Sequence, residues 1–271
     1  MSSHNCETCG LHVELDRMGV AVDRFDRVIA LAGNPNTGKS TLFNALTGLK
    51  QHTGNWPGKT VTRAEGGFAR AGIRYKLVDL PGTYSLLSTS HDEQVARDFL
   101  LFGRPDATIV VTDASALERN LNLVLQVIEI TDRVVVAVNL MDEARRKGID
   151  IDLRCLSRDL GVPAVGLVAR TGEGMHALLE QVEGTASGRI DTKPRRVTGT
   201  SDFERAVDEL VPMVERLVPG LPNARWIAMR LLDGDAEIES ALRSGRLGRL
   251  AADQQRTAER FSRQIALDGA Q

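Results

Sequence analysis

Residues 33–40 read Gly-Asn-Pro-Asn-Thr-Gly-Lys-Ser and match the spacing G-x-x-x-x-G-K-[ST] of a phosphate-binding loop. In such a loop the glycines let successive backbone N–H groups turn inward around phosphate oxygens, and the helix that follows presents its positive end. We expect Lys39 to span the β- and γ-phosphates of a nucleotide and the Ser40 hydroxyl to ligate Mg²⁺. The predicted nucleotide-binding residues of this loop are Gly33, Asn34, Pro35, Asn36, Thr37, Gly38, Lys39, Ser40 and Thr41.

A second motif, Asp79-Leu80-Pro81-Gly82, follows an apolar run that reads as a buried strand. In P-loop enzymes a carboxylate at this place serves Mg²⁺, and a glycine N–H nearby senses the γ-phosphate. We therefore expect Asp79 to hold Mg²⁺ through water and the Gly82 N–H to meet the γ-phosphate. Many GTPases carry a water-orienting Gln after this motif, whereas this chain has Thr83-Tyr84, so hydrolysis should be slow.

A third motif, Asn139-Leu140-Met141-Asp142, ends the apolar run VVVAV and predicts recognition of guanine. The Asp142 carboxylate can accept hydrogen bonds from the N1–H and the 2-amino group of guanine, which adenine does not offer in that arrangement. Asn139 would brace the pocket near the guanine O6, and Met141 would belong to the same pocket. Leu140 would pack on the base in place of the more common lysine. The structural alternative for an isolated N-x-x-D is a helix-capping aspartate.

A base-capping loop is expected after the next strand, at Val168-Ala169-Arg170. Its usual form is S-A-K or S-A-x, and the serine is missing here. The contact with the guanine O6 needs only a backbone N–H, which we assign to Arg170. Weaker hydrogen bonding inside this loop predicts fast nucleotide exchange.

The segment Gly54-Asn55-Trp56-Pro57-Gly58 precedes a threonine that could bind Mg²⁺ and sense the γ-phosphate. Thr60 is the natural candidate, and Thr62 is its competitor. The turn-prone sequence is unusually rigid for a simple tether between two nucleotide-binding motifs.

Apolar runs of strand type alternate with helical patterns from Arg27 to Gly184. Near-continuous Val, Ile and Leu strands between helices indicate a mainly parallel sheet covered on both faces. The predicted fold class is therefore α/β, a doubly wound P-loop fold followed by a small all-helical domain. Strands are expected at 28–33, 68–72, 73–80, 107–114, 134–142 and 163–169, and helices at 41–49, 91–103, 116–130, 153–160 and 175–183.

The predicted organisation has four parts. Residues 1–26 form an N-terminal extension, 27–184 the nucleotide-binding (G) domain, and 185–200 a linker rich in Gly, Pro, Thr and charge. Residues 201–271 read as a helical domain, which could be a packing module or a regulator of the nucleotide site.

Composition narrows the possible partners. The net charge of the 271 residues is −2, with 34 Lys and Arg against 36 Asp and Glu, and aromatic residues make up 4%. Neither a basic field nor a base-stacking platform is available, so nucleic acid is not an expected partner. The apolar runs are far shorter than the ~20 residues that span a bilayer, and the polar start lacks a signal-peptide core. We expect a soluble chain.

His4, Cys6, Cys9 and His12 form an H-x-C-x-x-C-x-x-H pattern. These side chains could fill a tetrahedral Zn²⁺ or Fe²⁺ site, and the cysteine pair could be redox-active. The spacing is tighter than in a usual zinc finger, so an incidental pair on a flexible arm is the other interpretation.

Together these motifs resemble the cytosolic G domain of the bacterial ferrous iron transporter B (FeoB) family. The resemblance covers residues 27–184, and 201–271 is similar to the family's helical domain, described as a guanine-nucleotide dissociation inhibitor. It implies a GTPase on the cytoplasmic side of the inner membrane that regulates Fe²⁺ transport through a membrane-embedded permease domain absent from this chain. The motifs that carry it are GNPNTGKSTLFNALTG, GNWPGKTV, DLPGTYSL, DASALERNL and NLMDEA.

The resemblance also suggests a role for the segment that contains Trp56. In these GTPases a K⁺ ion can lie near the α- and γ-phosphates, where other GTPases receive an arginine finger. Carried over, Asn36 would give its side-chain oxygen, and Gly54 and Trp56 would give their carbonyls. The catalytic residues would then be Lys39, Thr60, Gly82 and Asn36. Alternatively the segment only shapes the loop, with Trp56 packing on the surface or clamping the nucleotide.

Two other functions fit parts of the sequence. A ribosome-assembly or tRNA-modifying GTPase shares the phosphate loop, but it would predict N-K-x-D and an RNA-binding module. A non-hydrolysing module that only senses GTP or GDP would suit the missing Gln equally well. Self-association is left open by the sequence.

Overall fold

The computed structural model describes residues 15, 18, 20, 25–48, 51–56, 60–87, 90–221 and 223–248. His4, Cys6, Cys9 and His12 lie outside these residues, as does the chain after residue 248. The described residues divide into two compact units, 15–196 and 197–248.

A seven-stranded sheet forms the centre of the first unit, with the order β2-β3-β4-β1-β5-β6-β7. The pairs from β4 through β1, β5 and β6 to β7 are parallel, and β2 and β3 add antiparallel pairs at one side. The predicted mainly parallel α/β sheet is confirmed. The strands are β1 (Arg27–Gly33), β2 (Gln51–Asn55), β3 (Thr62–Arg70), β4 (Ile73–Asp79), β5 (Ala107–Asp113), β6 (Val134–Asn139) and β7 (Ala164–Gly166).

The apolar strands are buried on both faces. In β1, Ile29 and Leu31 belong to one core cluster, and their neighbours Val28 and Ala30, which point to the opposite face, are buried as well. Helices therefore cover both sides of the sheet. In this unit they are α1 (Lys39–Thr47), α2 (His91–Asp98), a π-helix (Phe99–Gly103), a 3₁₀ turn (Ala114–Ala116), α3 (Leu117–Ile130), α4 (Met141–Arg146), α5 (Leu153–Leu160) and α6 (Met175–Ser187).

Several boundaries differ from those predicted. The strand predicted over 134–142 ends at Asn139, since Leu140 takes a left-handed backbone (φ 62°) and Met141 begins α4. The strand predicted over 163–169 is limited to β7. Helix α6 continues to Ser187 and so includes the first residues of the predicted linker. The edge strand β2 was not predicted, because its sequence QHTGN has no apolar alternation.

The second unit is helical, as the periodicity predicts. It contains α7 (Ser201–Leu217), α8 (Ala224–Leu232) and α9 (Ala236–Arg243). Val207 and Val214 on α7, Ile227 on α8 and Ile238 on α9 are all buried. The apolar faces of these helices thus form a core of their own. None of the helices in the described part of the chain is both long and apolar enough to cross a membrane.

Candidate nucleotide site

The predicted phosphate loop joins the carboxyl end of β1 to the first turn of α1. Two of its glycines are required by close packing. A Cβ atom on Gly33 would lie 2.8 Å from the Val111 carbonyl oxygen of the neighbouring strand. Gly38 has φ 79°, and a Cβ atom there would collide with the Asn139 side chain. The backbone can follow this path because both positions lack a side chain.

The amino terminus of α1 leaves donors for an anion. Gly38 occupies the N-cap without a side-chain hydrogen bond, and the first N–H that donates within the helix is that of Leu42, to the Gly38 carbonyl at 3.0 Å. The preceding N–H groups therefore have no acceptor within the helix, and they coincide with its positive end. Ser40 and Thr41, in this first turn, are exposed. This arrangement suits phosphate.

Hydrogen bonds inside the loop fix its shape. The Thr37 hydroxyl donates to the Asn34 carbonyl at 2.9 Å. The Asn34 side chain is buried, and neither its oxygen nor its nitrogen has a hydrogen-bond partner among the described residues. Pro35 is half-buried, and Asn36 is exposed at the tip with φ 65°.

Asn139 connects the phosphate loop to the predicted base-capping loop. Its side-chain nitrogen donates to the Thr37 carbonyl, and its side-chain oxygen accepts from the Ala169 N–H, each at 2.9 Å. The residue is buried at the end of β6, between the two loops. Sequence reasoning predicted a bracing role for Asn139 but could not identify the two backbone groups that it joins.

The structure brings together the predicted phosphate lysine and the predicted Mg²⁺ carboxylate. The Lys39 ammonium group donates to the Asp79 carboxylate and, at 2.8 Å, to the Leu80 carbonyl. Burial raises the pKa of Asp79, and the positive charge of Lys39 acts in the opposite direction. A carboxylate this buried needs a cation beside it, and Lys39 is that cation.

The segment with Gly82 lies directly against the phosphate loop. The Leu80 N–H donates to the Leu31 carbonyl at 2.9 Å, and the Thr83 N–H donates to the Gly33 carbonyl at 3.3 Å. A Cβ atom on Gly82 would lie 3.6 Å from the Pro35 ring. Gly82 is therefore placed where its N–H could reach a terminal phosphate held by the loop.

Asp142 presents an open acceptor in the first turn of α4. Its Oδ1 atom is buried without a hydrogen-bond partner among the described residues. Its Oδ2 atom lies 3.6 Å from the Arg170 guanidinium and 4.0 Å from that of Arg146. The Met141 N–H donates to the Leu167 carbonyl at 3.3 Å and so fixes the start of the helix. An unpartnered carboxylate oxygen fits a base that offers N–H donors.

The capping loop has one amide to offer. The Ala169 N–H is engaged by Asn139, and the N–H groups of Thr171 and Gly172 donate to the Val168 carbonyl at 3.1 and 3.0 Å. Among the hydrogen bonds of the described residues, none uses the Arg170 N–H. Val168 and Ala169 are buried, and the Arg170 side chain is exposed beside Asp142.

The predicted switch residues are not assembled with the phosphate loop. Among the described residues, no hydrogen bond or ion pair joins Gly54, Trp56 or Thr60 to Asn36 or Asp79. Strand β2 lies three strands from β1, about 14 Å at the usual spacing. Thr60 is exposed, and the register Ala64–Asp79 places it beyond the carboxyl end of β4, at the same edge as the phosphate loop.

Trp56 corrects one interpretation of the sequence. The indole is only 4% exposed and packs edge-to-face on Phe99, with ring centroids 5.5 Å apart. The alternative in which Trp56 packs on the surface is therefore wrong.

Helix α3 contributes contacts that sequence reasoning missed. The Gln126 side-chain oxygen accepts from the Leu86 N–H at 2.6 Å and from the Ser85 hydroxyl at 3.2 Å. The Arg119 guanidinium lies 5.1 Å from the Tyr84 ring centroid. The segment after Gly82 is thus fastened to α3. The only signal in the sequence is the polar side of an otherwise apolar helix.

Comparison with known families agrees with this geometry. The model of the family described as Ferrous iron transport protein B matches residues 27–182, and that of the FeoB cytosolic helical domain matches 200–268. The Fe(2+) transporter FeoB of Salmonella typhimurium is 43% identical over 212 residues, which cover 76% of this chain. This chain spans only 27% of the length of that relative.

Solved structures of cytosolic FeoB domains have the same fold. The T. maritima domain in its GMPPNP form is 39% identical, with a TM-score of 0.70, covering 82% of this chain and 86% of that one. A point mutant of the S. thermophilus domain bound to GDP is 34% identical, with a TM-score of 0.73, covering 89% of this chain and 94% of that one.

Proposed function

The chain belongs to the ferrous iron transport protein B (FeoB) family, and from this premise we propose that it binds GTP with Mg²⁺, hydrolyses it slowly and thereby regulates Fe²⁺ transport. Related cytosolic domains have been solved with GDP and with GMPPNP. The proposal assigns the phosphates to the turn before α1 and the guanine to Asp142.

The main support for the proposal is that one side chain, that of Asn139, connects the two loops that would bind the two ends of the nucleotide. Among the described residues, the N–H groups at the start of α1 have no acceptor within the helix, and the buried Asp142 oxygen has no donor. Asn139 fastens the loop before α1 to the loop that would cap the base. A ligand with phosphates at one end and N–H donors at the other would satisfy both, which describes a guanine nucleotide.

Hydrolysis would depend on which charged and N–H groups of the chain contact the phosphates. Lys39 would leave Asp79 for the β- and γ-phosphates, and the Gly82 N–H would contact the γ-phosphate. Ser40, Thr60 and Asp79 would hold Mg²⁺, which neutralises phosphate charge when bound. The Thr83 N–H is already engaged by the Gly33 carbonyl. Water would therefore be oriented by backbone groups, and turnover would be slow.

K⁺ would be held by the Asn36 side chain and by the carbonyls of Gly54 and Trp56. The Trp56 N–H donates to the Val61 carbonyl at 2.9 Å, so the alternation of the antiparallel ladder makes Gly54 and Arg63 a hydrogen-bonded pair. Binding K⁺ in this way therefore requires the end of β2 to separate from β3. The stimulation by K⁺ is expected in the GTP-bound state only.

The remaining partners follow from the family. A membrane-embedded permease domain would carry Fe²⁺, and the helical unit would modulate nucleotide release. Self-association is proposed through the helical unit, where Met213 and Leu217 are 50% and 69% exposed.

Mg²⁺-dependent GTP hydrolysis, measured in KCl and in NaCl at equal ionic strength, tests the function. We expect K⁺ to accelerate the wild type and to have no effect on Asn36→Ala, while the control Asn122→Ala, an exposed asparagine of α3, behaves like the wild type. Equal rates in both salts would remove K⁺ from the mechanism. Absence of turnover in a single-turnover assay, with GDP still bound, would leave a nucleotide-sensing module.

A further inference from the structure

Four described residues of the N-terminal extension lie in the first unit ahead of the family match, which begins at residue 27. They are Leu15, Met18, Val20 and Phe25, and we call these four residues the strap. Leu15 and Val20 have no exposed surface, and Met18 is 9% exposed. The Val20 N–H donates to the Leu15 carbonyl at 2.8 Å.

The strap contacts switch I, the segment 51–62 that contains Gly54, Trp56 and Thr60, through Arg63. One Arg63 nitrogen donates to the Met18 carbonyl at 2.8 Å, and another lies 2.6 Å from the Glu65 carboxylate. The same guanidinium lies 5.5 Å from the centroid of the Trp56 ring. Arg63 therefore joins the strap to the indole of switch I.

A second connection runs through aromatic packing. Leu15 and Phe99 both lie against Gly103, where an added Cβ atom would meet them at 3.2 and 3.1 Å. Phe99 in turn forms the edge-to-face contact with Trp56. Phe99 and Gly103 belong to the π-helix that continues α2. Leu15 of the strap thus packs beside the π-helix, whose residue Phe99 contacts Trp56.

The other end of the strap is fastened to the same strands. The Phe25 ring covers Gly67, where no side chain could fit, and the Lys76 ammonium lies 5.1 Å from its centroid. Lys76 forms an ion pair with Glu65, the residue that also holds Arg63. Glu65 and Lys76 are buried. The contacts therefore form a continuous path from Phe25 to Trp56.

The position of Trp56 requires such support. Its indole N–H is buried, and it has no hydrogen-bond partner among the described residues. An unsatisfied buried donor disfavours the docked position of the indole. The packing of Phe99 and the charge of Arg63 must offset that cost, and the strap contacts Arg63 through Met18 and lies beside Phe99 at Gly103.

We propose that the strap is an intramolecular restraint on switch I, with Arg63 as its positioning residue. This restraint keeps Gly54 in β2 and Trp56 packed on Phe99. Both residues reach the nucleotide only after the contacts of Arg63 and Phe99 break. This inference rests on the proposed function, in which those residues move to the GTP-bound site. The part of the inference that concerns the packed position of Trp56 does not depend on nucleotide.

The first experiment measures the hold on Trp56 without nucleotide. The chain has two tryptophans, so Trp226→Phe leaves Trp56 as the only indole, and acrylamide quenching reports its exposure. We expect Leu15→Ala and Arg63→Gln each to raise the ratio of released to docked indole about tenfold, equivalent to about 1.4 kcal/mol. Leu160→Ala, a buried leucine of α5, and Arg158→Gln, an exposed arginine of the same helix, are the matched controls.

The second experiment measures switching on addition of GMPPNP with Mg²⁺ and KCl. The Trp56 fluorescence change should be several-fold faster in Leu15→Ala and in Arg63→Gln than in the Trp226→Phe parent. Arg63→Lys should be intermediate, since lysine keeps the charge but loses the planar fork. Circular dichroism verifies folding.

Unchanged acrylamide quenching in Leu15→Ala and Arg63→Gln, or equal increases in the control variants, would overturn the proposed restraint. Binding of GDP to the wild type is measured separately. If GDP does not bind, the proposed function fails, while quenching still decides whether the strap holds Trp56.

Discussion

At the scale of single residues, Asp142 is the clearest determinant of base choice. One carboxylate oxygen is buried without a hydrogen-bond partner among the described residues, and the other lies 3.6 and 4.0 Å from two guanidinium groups. Guanine would offer two donors to this carboxylate, whereas a base with an acceptor at position 2 would be repelled.

The Asp142→Asn substitution should therefore exchange guanine for xanthine. The new amide donates where the carboxylate accepted, so GDP affinity should fall at least ~100-fold, the loss expected for two hydrogen bonds to a charged group, while XDP affinity rises. Titration calorimetry with both nucleotides checks this. Asp150→Asn, at an exposed position before α5, is the control, and unchanged GDP affinity in Asp142→Asn would place the base elsewhere.

At the scale of elements, Asn139 unites the loops that follow β1 and β7. Removing its amide would leave the Thr37 carbonyl and the Ala169 N–H without their partner. We expect Asn139→Ala to lower the free energy of unfolding by about 2–3 kcal/mol and to weaken GDP binding about 10- to 100-fold.

Asn120→Ala provides a matched comparison. Asn120 is equally buried and bonds the Asp113 N–H and the Ala116 carbonyl, neither of which belongs to the phosphate loop. It should lose similar stability in denaturant titrations yet keep most of its GDP affinity. If both variants lose affinity alike, Asn139 acts only through stability.

The sequence allowed some elements to be predicted and not others, for physical reasons. The strands β1 and β5 are near-continuous apolar runs, so both their existence and their burial were predictable. Strand β2 forms because its backbone pairs with β3, and its sequence carries no apolar pattern. The left-handed turn at Leu140 and the burial of Trp56 depend on contacts with residues distant in the sequence, which spacing does not reveal.

The candidate site divides in the same way. The loop of residues 33–40 follows from its motif, whereas the bond from Asn139 to Thr37 depends on the register of β6 against β5 and β1. The roles assigned to Thr60, Gly54 and Trp56 remain predictions, because β2 holds this segment at the edge of the sheet.

At the scale of the whole molecule, the chain consists of two units that each bury their own core. In the helical unit, Arg225 of α8 reaches both carboxylate oxygens of Glu204 of α7, at 2.7 and 3.0 Å. The Gly199 N–H and the Arg225 guanidinium hold the pKa of Glu204 below its ordinary value of 4.5. Ionised Glu204 therefore favours the folded helical unit.

The sign of this shift predicts a pH-dependent loss. Stabilisation by Glu204 is complete above its ordinary pKa and disappears as the pH falls through the lower folded value. Glu204→Gln should thus lower the melting temperature at pH 7 and lower it less at pH 3. Thermal unfolding followed by Trp226 fluorescence in a Trp56→Phe background reports this unit, and Glu215→Gln on the same helix is the control. An equal effect at both pH values would contradict the assignment.

The contact between Lys39 and Asp79 has a consequence for the order of assembly. Lys39 is the counter-ion of Asp79, so free Mg²⁺ would have to displace its ammonium group to reach the carboxylate. In the proposed function, a nucleotide would draw that ammonium toward its phosphates and free the carboxylate for the metal. Mg²⁺ would then bind as a complex with the nucleotide rather than alone.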